Sequence, residues 1–90
     1  MYSLNYSGKF KKDIKICQRR NYVFTEFKKI IKFLEEKGEV PTKYKPHILS
    51  GDYSKHWECH IKPDWLLIWT LDAIAKEITL VRTGTHSDLF

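Results

Sequence analysis

The sequence predicts an α+β domain of two layers, a mainly antiparallel sheet packed against a helical hairpin, in the order β-α-α-β-β-β over residues 1–90. Three observations predict it. Apolar residues recur at helical spacing between residues 10 and 34, they alternate or run continuously between 56 and 82, and the last three strands follow one another on short connections. Strands so connected pair antiparallel, and their apolar face needs the helices as a lid. Ninety residues supply one core and therefore one domain.

The elements follow in order. Tyr2, Leu4 and Tyr6 alternate with Ser3, Asn5 and Ser7, the period of a half-buried strand, which Ser7-Gly8 ends. Ser7 is placed to cap a helix running to about Arg20, with Phe10, Ile14 and Cys17 on one face. Asn21 predicts the cap of a second helix, whose Phe24, Phe27, Ile30, Ile31 and Leu34 share a face until Gly38 stops it. Residues 39–53 hold Pro41, Pro46 and Gly51 and read as a surface loop with a short strand at His47-Ile48-Leu49. His56, Glu58, His60 and Lys62 then alternate with Trp57, Cys59 and Ile61, predicting a strand with one solvated and one apolar face. After a turn at Pro63-Asp64, residues 65–71 are apolar on both faces, which predicts the central strand. Residues 76–82 form the last strand, and residues 83–90 are expected to be a flexible tail.

Composition excludes several classes. No apolar run approaches the roughly 20 residues of a membrane span, and the N-terminus lacks a signal peptide's basic start and apolar stretch, so a soluble cytoplasmic protein is expected. Cys17 and Cys59 have no zinc-site spacing and lie on apolar faces, so both are expected to be packed, reduced thiols.

Net charge is +5, but its distribution is more informative. Residues 9–32 carry nine cations against Asp13 and Glu26, a local +7, so the remainder sums to −2. Such a concentration, with Lys11, Lys12, Lys15 and Lys28 facing outward, points to a polyanionic partner, nucleic acid first and an acidic protein second.

The candidate chemistry lies in the C-terminal half. Glu58 and His60 share a strand face, with Asp64 just past its end. Arg82-Thr83-Gly84-Thr85-His86 combines a phosphate-binding guanidinium, small hydroxyl residues and an imidazole that exchanges protons near neutral pH. Phe90, at the chain's end, is placed to stack on a base. His47, His60, Asp64 and His86 are the available metal ligands, yet they come from different segments without HxH or HExxH spacing, so no metal or other cofactor is expected. His56 reads as an exposed structural residue.

Three stretches, Tyr44-Lys45-Pro46-His47-Ile48-Leu49, His60 to Trp69 with its H-x-x-P-D-W, and the R-T-G-T-H-x-x-L-F of residues 82–90, resemble the signature segments of the YafQ branch of the RelE-type messenger-RNA-cleaving toxins. Length, Tyr6-Ser7-Gly8 and element order are similar too. The resemblance implies a RelE-like fold and the toxin half of a bacterial toxin–antitoxin pair, a metal-independent endoribonuclease acting on mRNA in the ribosome. It also implies a cognate antitoxin, typically a DNA-binding dimer. It assigns catalytic or substrate-binding roles to His47, His60, Asp64, Arg82, His86 and Phe90, with Trp65 beside the site. Glu58 departs from the pattern, where Asp is expected, and the connection near residues 72–76 is slightly longer.

The residues agree with RNA cleavage by attack of the 2′-OH, in which a base removes its proton and an acid protonates the leaving 5′-oxygen. Arg82 would stabilise phosphoryl charge and His86 would be the acid, while His47, His60 and Asp64 are each candidates for the base. Two other readings compete: a non-catalytic RNA- or ribosome-binding module, and a metal-dependent hydrolase.

Overall fold

The computed structural model describes residues 1–90, and its elements are β1 (Ser3–Tyr6), α1 (Gly8–Arg19), α2 (Thr25–Lys37), β2 (His47–Ile48), β3 (Trp57–Lys62), β4 (Trp65–Asp72), β5 (Glu77–Gly84) and α3 (His86–Leu89). The five strands form one sheet in the order β1-β5-β4-β3-β2. Only the β1–β5 pair is parallel. β4 is the middle strand, as its two apolar faces require: Leu66, Leu67 and Ile68 are fully buried.

The two faces of the sheet have different covers. On one, Trp57, Cys59, Ile61, Trp65, Leu67, Trp69, Ile78 and Leu80 meet Phe10, Cys17, Ile30 and Leu34 of the helical pair in the main core. Each fully buried Leu or Ile contributes roughly 1.5–3 kcal/mol. Cys17 and Cys59 are free and buried there, and burial pushes the Cys17 thiol up to about 11, so neither is a nucleophile at neutral pH. The other face has a small cluster of Leu66, Ile68 and Leu89, edged by Leu49, Tyr53 and Val81. The rest of that face is polar.

Local chemistry explains the boundaries. Ser7 Oγ accepts the Phe10 N–H and donates to the Val81 carbonyl, tying the start of α1 to β5. Gly38 ends α2 at φ 68°, and an added Cβ would stand 2.5 Å from the Tyr2 ring. The expected cap at Asn21 is not formed. Asn21 sits at φ 61° just past the end of α1, a conformation Asn tolerates, and α2 starts at Thr25. The expected irregular tail is instead built into the fold. β5 continues to Gly84, and α3 begins with a capping box in which Thr85 Oγ1 accepts the Asp88 N–H and Asp88 accepts the Thr85 N–H. No helix is long and apolar enough to cross a membrane.

The tail is held by a clasp. Arg20 donates through Nη1 and Nη2 to Asp88 at 2.7 and 3.0 Å, and Leu89 is buried against β4. An added Cβ at Gly84 would lie 2.8 Å from Asp88 Oδ2, so glycine is required there by the close approach of this carboxylate. Bonding to Arg20 holds the Asp88 carboxyl well below its ordinary range. A carboxylate with a depressed folded-state pKa stabilises the fold above its unfolded pKa and loses that contribution as pH falls. Stability measured by denaturant unfolding is therefore expected to fall below about pH 4, and Asp88→Asn is expected to weaken this acid dependence.

Candidate active site

Sheet register assembles the polar face. His47 pairs with Glu58, Glu58 with Ile68, and Ile68 with Arg82, so these four form a row across four strands. His60, Leu66 and Gly84 form the next row. Side chains directly opposite one another share a face. A bulge at Val81 adds one residue to β5 between its pairs with Ile68 and Trp69, re-aiming the end of the strand. α3 then hangs His86 beside His60.

Three imidazoles result in sequence: His47 and His60 have ring centres 6.4 Å apart, and His60 and His86 5.8 Å apart. Each is anchored through Nδ1. The partners are the Lys45 carbonyl at 2.9 Å for His47, the Pro63 carbonyl at 3.3 Å for His60, and Asp64 Oδ1 at 2.5 Å for His86. Carbonyls and carboxylates only accept, so Nδ1 carries the proton in all three and Nε2 is the nitrogen left for chemistry. For His47 that nitrogen is already engaged, 3.2 Å from Glu58 Oε1.

Asp64 is committed to His86 rather than to His60. It accepts the His86 backbone N–H at 2.9 Å as well as Nδ1–H, and these bonds, the backbone one foremost, lower its pKa. The imidazole and the first turn of α3 are thus fixed by one carboxylate.

Glu58 is not on a solvated face. It is 5% exposed, with Oε1 on His47 and Oε2 without any partner. β2 covers it from one side and β4 from the other. Its carboxylate therefore contacts His47 and not the open surface. Trp65 is likewise interior, 3% exposed, parallel to Phe27 and edge-on to Phe24, with Nε1 donating to Thr83 Oγ1. It packs beneath the site and offers no surface to a substrate. The hydroxyls of Thr83 and Thr85 are structural too, since Thr83 donates to the Leu66 carbonyl and Thr85 caps α3.

Arg82 remains as the cation of the face. Its Nε and Nη2 donate to Asp13 Oδ2 and Oδ1 at 2.7 and 3.2 Å, which raises its pKa further, with a smaller contribution from Tyr53. Phe90 is 65% exposed and edge-on to Tyr53 at 5.7 Å, leaving its ring open to a stacking partner. Lys11, Lys12, Lys15 and Lys28 are exposed on the opposite, helical side and make no ion pair, whereas Arg20, Lys29 and Lys32 pair with Asp88, Glu26 and Glu36. His56 donates from Nδ1 to the Ser54 carbonyl and touches Tyr53.

Sequence reading missed Asp13, Tyr53 and Asp88. Asp13 had a signal: it is three residues after Phe10 and four before Cys17, inside the apolar stripe of an otherwise basic helix. Asp88 had a partial one, since Thr85-x-x-Asp88 is capping-box spacing, although its Arg20 partner is 68 residues away; Tyr53, 37 residues from Phe90, had none.

Both the sequence and the fold match known proteins. The mRNA interferase toxin YafQ of Escherichia coli strain K12 is 35% identical over 88 residues, 97% of this chain and 94% of the relative. The matched chain in the crystal structure of the E. coli DinJ–YafQ complex is 34% identical, with a TM-score of 0.89 over 100% of this chain and 99% of that one. A metal-bound toxin from Helicobacter pylori is 36% identical, also with a TM-score of 0.89, over the whole of both chains. Residues 2–90 match the YafQ family, described as bacterial toxins of type II toxin–antitoxin systems, and with this RelE-like fold the chain belongs to that family.

Proposed function

We propose that the histidine face is the endoribonuclease site of a type II toxin, cutting mRNA on the ribosome by attack of the 2′-OH. Family membership and the interferase relative support the activity. One observation carries the mechanism: His60 and His86 stand side by side, each anchored through Nδ1 and with Nε2 free of any protein partner. His47 lacks that freedom and Asp64 is spent on His86. His60 Nε2 takes the 2′-OH proton, and the alkoxide attacks the adjacent phosphorus. The bond to the 5′-oxygen breaks as His86, entering the step as the imidazolium whose Nδ1–H stays on Asp64, delivers its Nε2 proton, leaving a 2′,3′-cyclic phosphate and a 5′-hydroxyl. Arg82 stabilises charge on the phosphoryl oxygens, and Phe90 stacks on a neighbouring base. The Glu58 carboxylate orients His47, which lies at the edge of the row.

The donor set argues for proton chemistry. No three His, Cys, Asp or Glu side chains are grouped to hold a metal ion. The metal-bound relative makes the test necessary: with ribosomes kept intact, excess chelator is expected to leave cleavage unchanged and the new ends as cyclic phosphate and 5′-hydroxyl. Activity returning only with a transition metal would overturn the mechanism.

The unpaired lysines Lys11, Lys12, Lys15 and Lys28 dock the toxin on ribosomal RNA, reading phosphates rather than sequence. Changing all four to Gln is expected to weaken ribosome binding and flatten its salt dependence, the log–log slope falling by roughly 0.7–0.9 for each phosphate no longer neutralised. A binding curve at several salt concentrations checks this, and an unchanged slope makes the patch a solvated surface. Such a site acts in the cytoplasm. A cognate antitoxin, the partner type seen with YafQ, silences it by covering the open face or by breaking the Arg20–Asp88 clasp.

A further inference from the structure

Asp13 is the one buried acid of the helical pair, and its carboxylate accepts three N–H groups: Arg82 Nε at 2.7 Å, Arg82 Nη2 at 3.2 Å and the Thr83 backbone at 3.1 Å. The last bond has a topological cause. β1 pairs with β5 only over Glu77–Leu80, so the β5 edge beyond Leu80 has no neighbouring strand. α1 takes over there, with Ser7 on the Val81 carbonyl and Asp13 on the Thr83 N–H. The same carboxylate therefore grips the backbone of β5 and the guanidinium that β5 carries.

A guanidinium has five N–H donors in a rigid plane. Asp13 takes two of Arg82's, which fixes the plane, and the remaining donors point away from Asp13, with Tyr53 beside them. An arginine held only by its own flexible stem would sample many orientations, and electrostatic stabilisation of a transition state depends on donors that are already aimed. We propose that Asp13 is a positioning residue for RNA cleavage, fixing the Arg82 guanidinium so that its remaining N–H groups meet one particular non-bridging oxygen of the scissile phosphate. This rests on the reading of Arg82 as the phosphate grip.

The test replaces each non-bridging oxygen of the scissile phosphate in turn by sulfur, a poorer hydrogen-bond acceptor, in ribosome-bound mRNA under single-turnover conditions. The wild-type toxin is expected to be slowed more by one diastereomer than by the other, because a fixed guanidinium distinguishes the two oxygens. In Asp13→Asn the maximal rate is expected to fall on the order of a hundredfold, the cost of a misaimed group. The concentration of toxin giving half the maximal rate should not change, and the diastereomer preference should fall towards one. Loss of folding alone would lower the amount of active toxin but leave that preference intact. Asp13→Glu keeps the charge opposite Arg82 while shifting it by a methylene, and is expected to lose part of the preference; it carries the test if Asp13→Asn does not fold. Arg82→Gln should abolish the preference altogether. If both Asp13 variants keep the wild-type preference while Arg82→Gln loses it, the inference about Asp13 is wrong and the cleavage mechanism stands. If Arg82→Gln itself keeps the wild-type rate and preference, Arg82 is not the grip, and the underlying reading fails with it.

Discussion

His86→Gln is expected to slow single-turnover cleavage of ribosome-bound mRNA by about a hundred- to ten-thousand-fold, the range lost with a positioned general acid. The variant should fold. α3 is held independently of the imidazole by the Arg20–Asp88 clasp, the Thr85 cap and burial of Leu89, and glutamine can still donate to Asp64. Surface substitutions away from such anchors usually change stability by no more than about 0.5 kcal/mol. A normal unfolding curve, retained ribosome binding and retained neutralisation by antitoxin would together place the whole loss in chemistry. A large drop in stability would instead make His86 a packing residue.

His60→Gln should produce a loss of similar size for a different reason. The ring is half-buried between Leu66 and the flanking histidines, and its Nδ1–H bond to the Pro63 carbonyl presents Nε2 as a lone pair. A glutamine amide at this position cannot take a proton from the 2′-OH. The wild-type rate is expected to rise and then fall with pH, as one base and one acid require, and each single variant should keep only one limb. Because both groups act in one step, the double variant should be far less slow than the product of the two losses. Measured pH–rate profiles check both statements. Two independent losses that multiply would mean that the residues serve separate steps.

The sheet was legible because period is a local property. Alternation in residues 2–6 and 56–62 and the two-faced apolar run of 65–71 need only the sequence itself, and they placed β1, β3 and the central β4 correctly. Helical spacing did the same for α1 and α2. Failures came where a long-range partner overrode a local rule. Asn21 is as good a terminator in the left-handed region as it is a cap, and only packing chooses. Alternation put Glu58 on the polar face correctly, but a polar face need not be wet, and the cover supplied by β2 is not encoded near residue 58. The Gly and Thr residues before His86 resemble an anion-binding loop, yet the anion they serve is the chain's own Asp88. Within the candidate site, residue types were readable and partnerships were not. Asp64 reads as a candidate base in sequence, and the fold bonds it to His86; Asp13 reads only as a charge, and the fold sets it on Arg82.

The division of labour between His60 and His86 is the central claim, and a bridging sulfur tests it most directly. Replacing the scissile 5′-oxygen by sulfur supplies a leaving group that departs without a proton, so the acid becomes dispensable while the base does not. Single-turnover rates on the 5′-thio mRNA should therefore return to near wild type for His86→Gln and stay low for His60→Gln. If His86→Gln is as impaired on the thio substrate as on the normal one, or if His60→Gln is the variant that recovers, the assignment of acid and base is wrong.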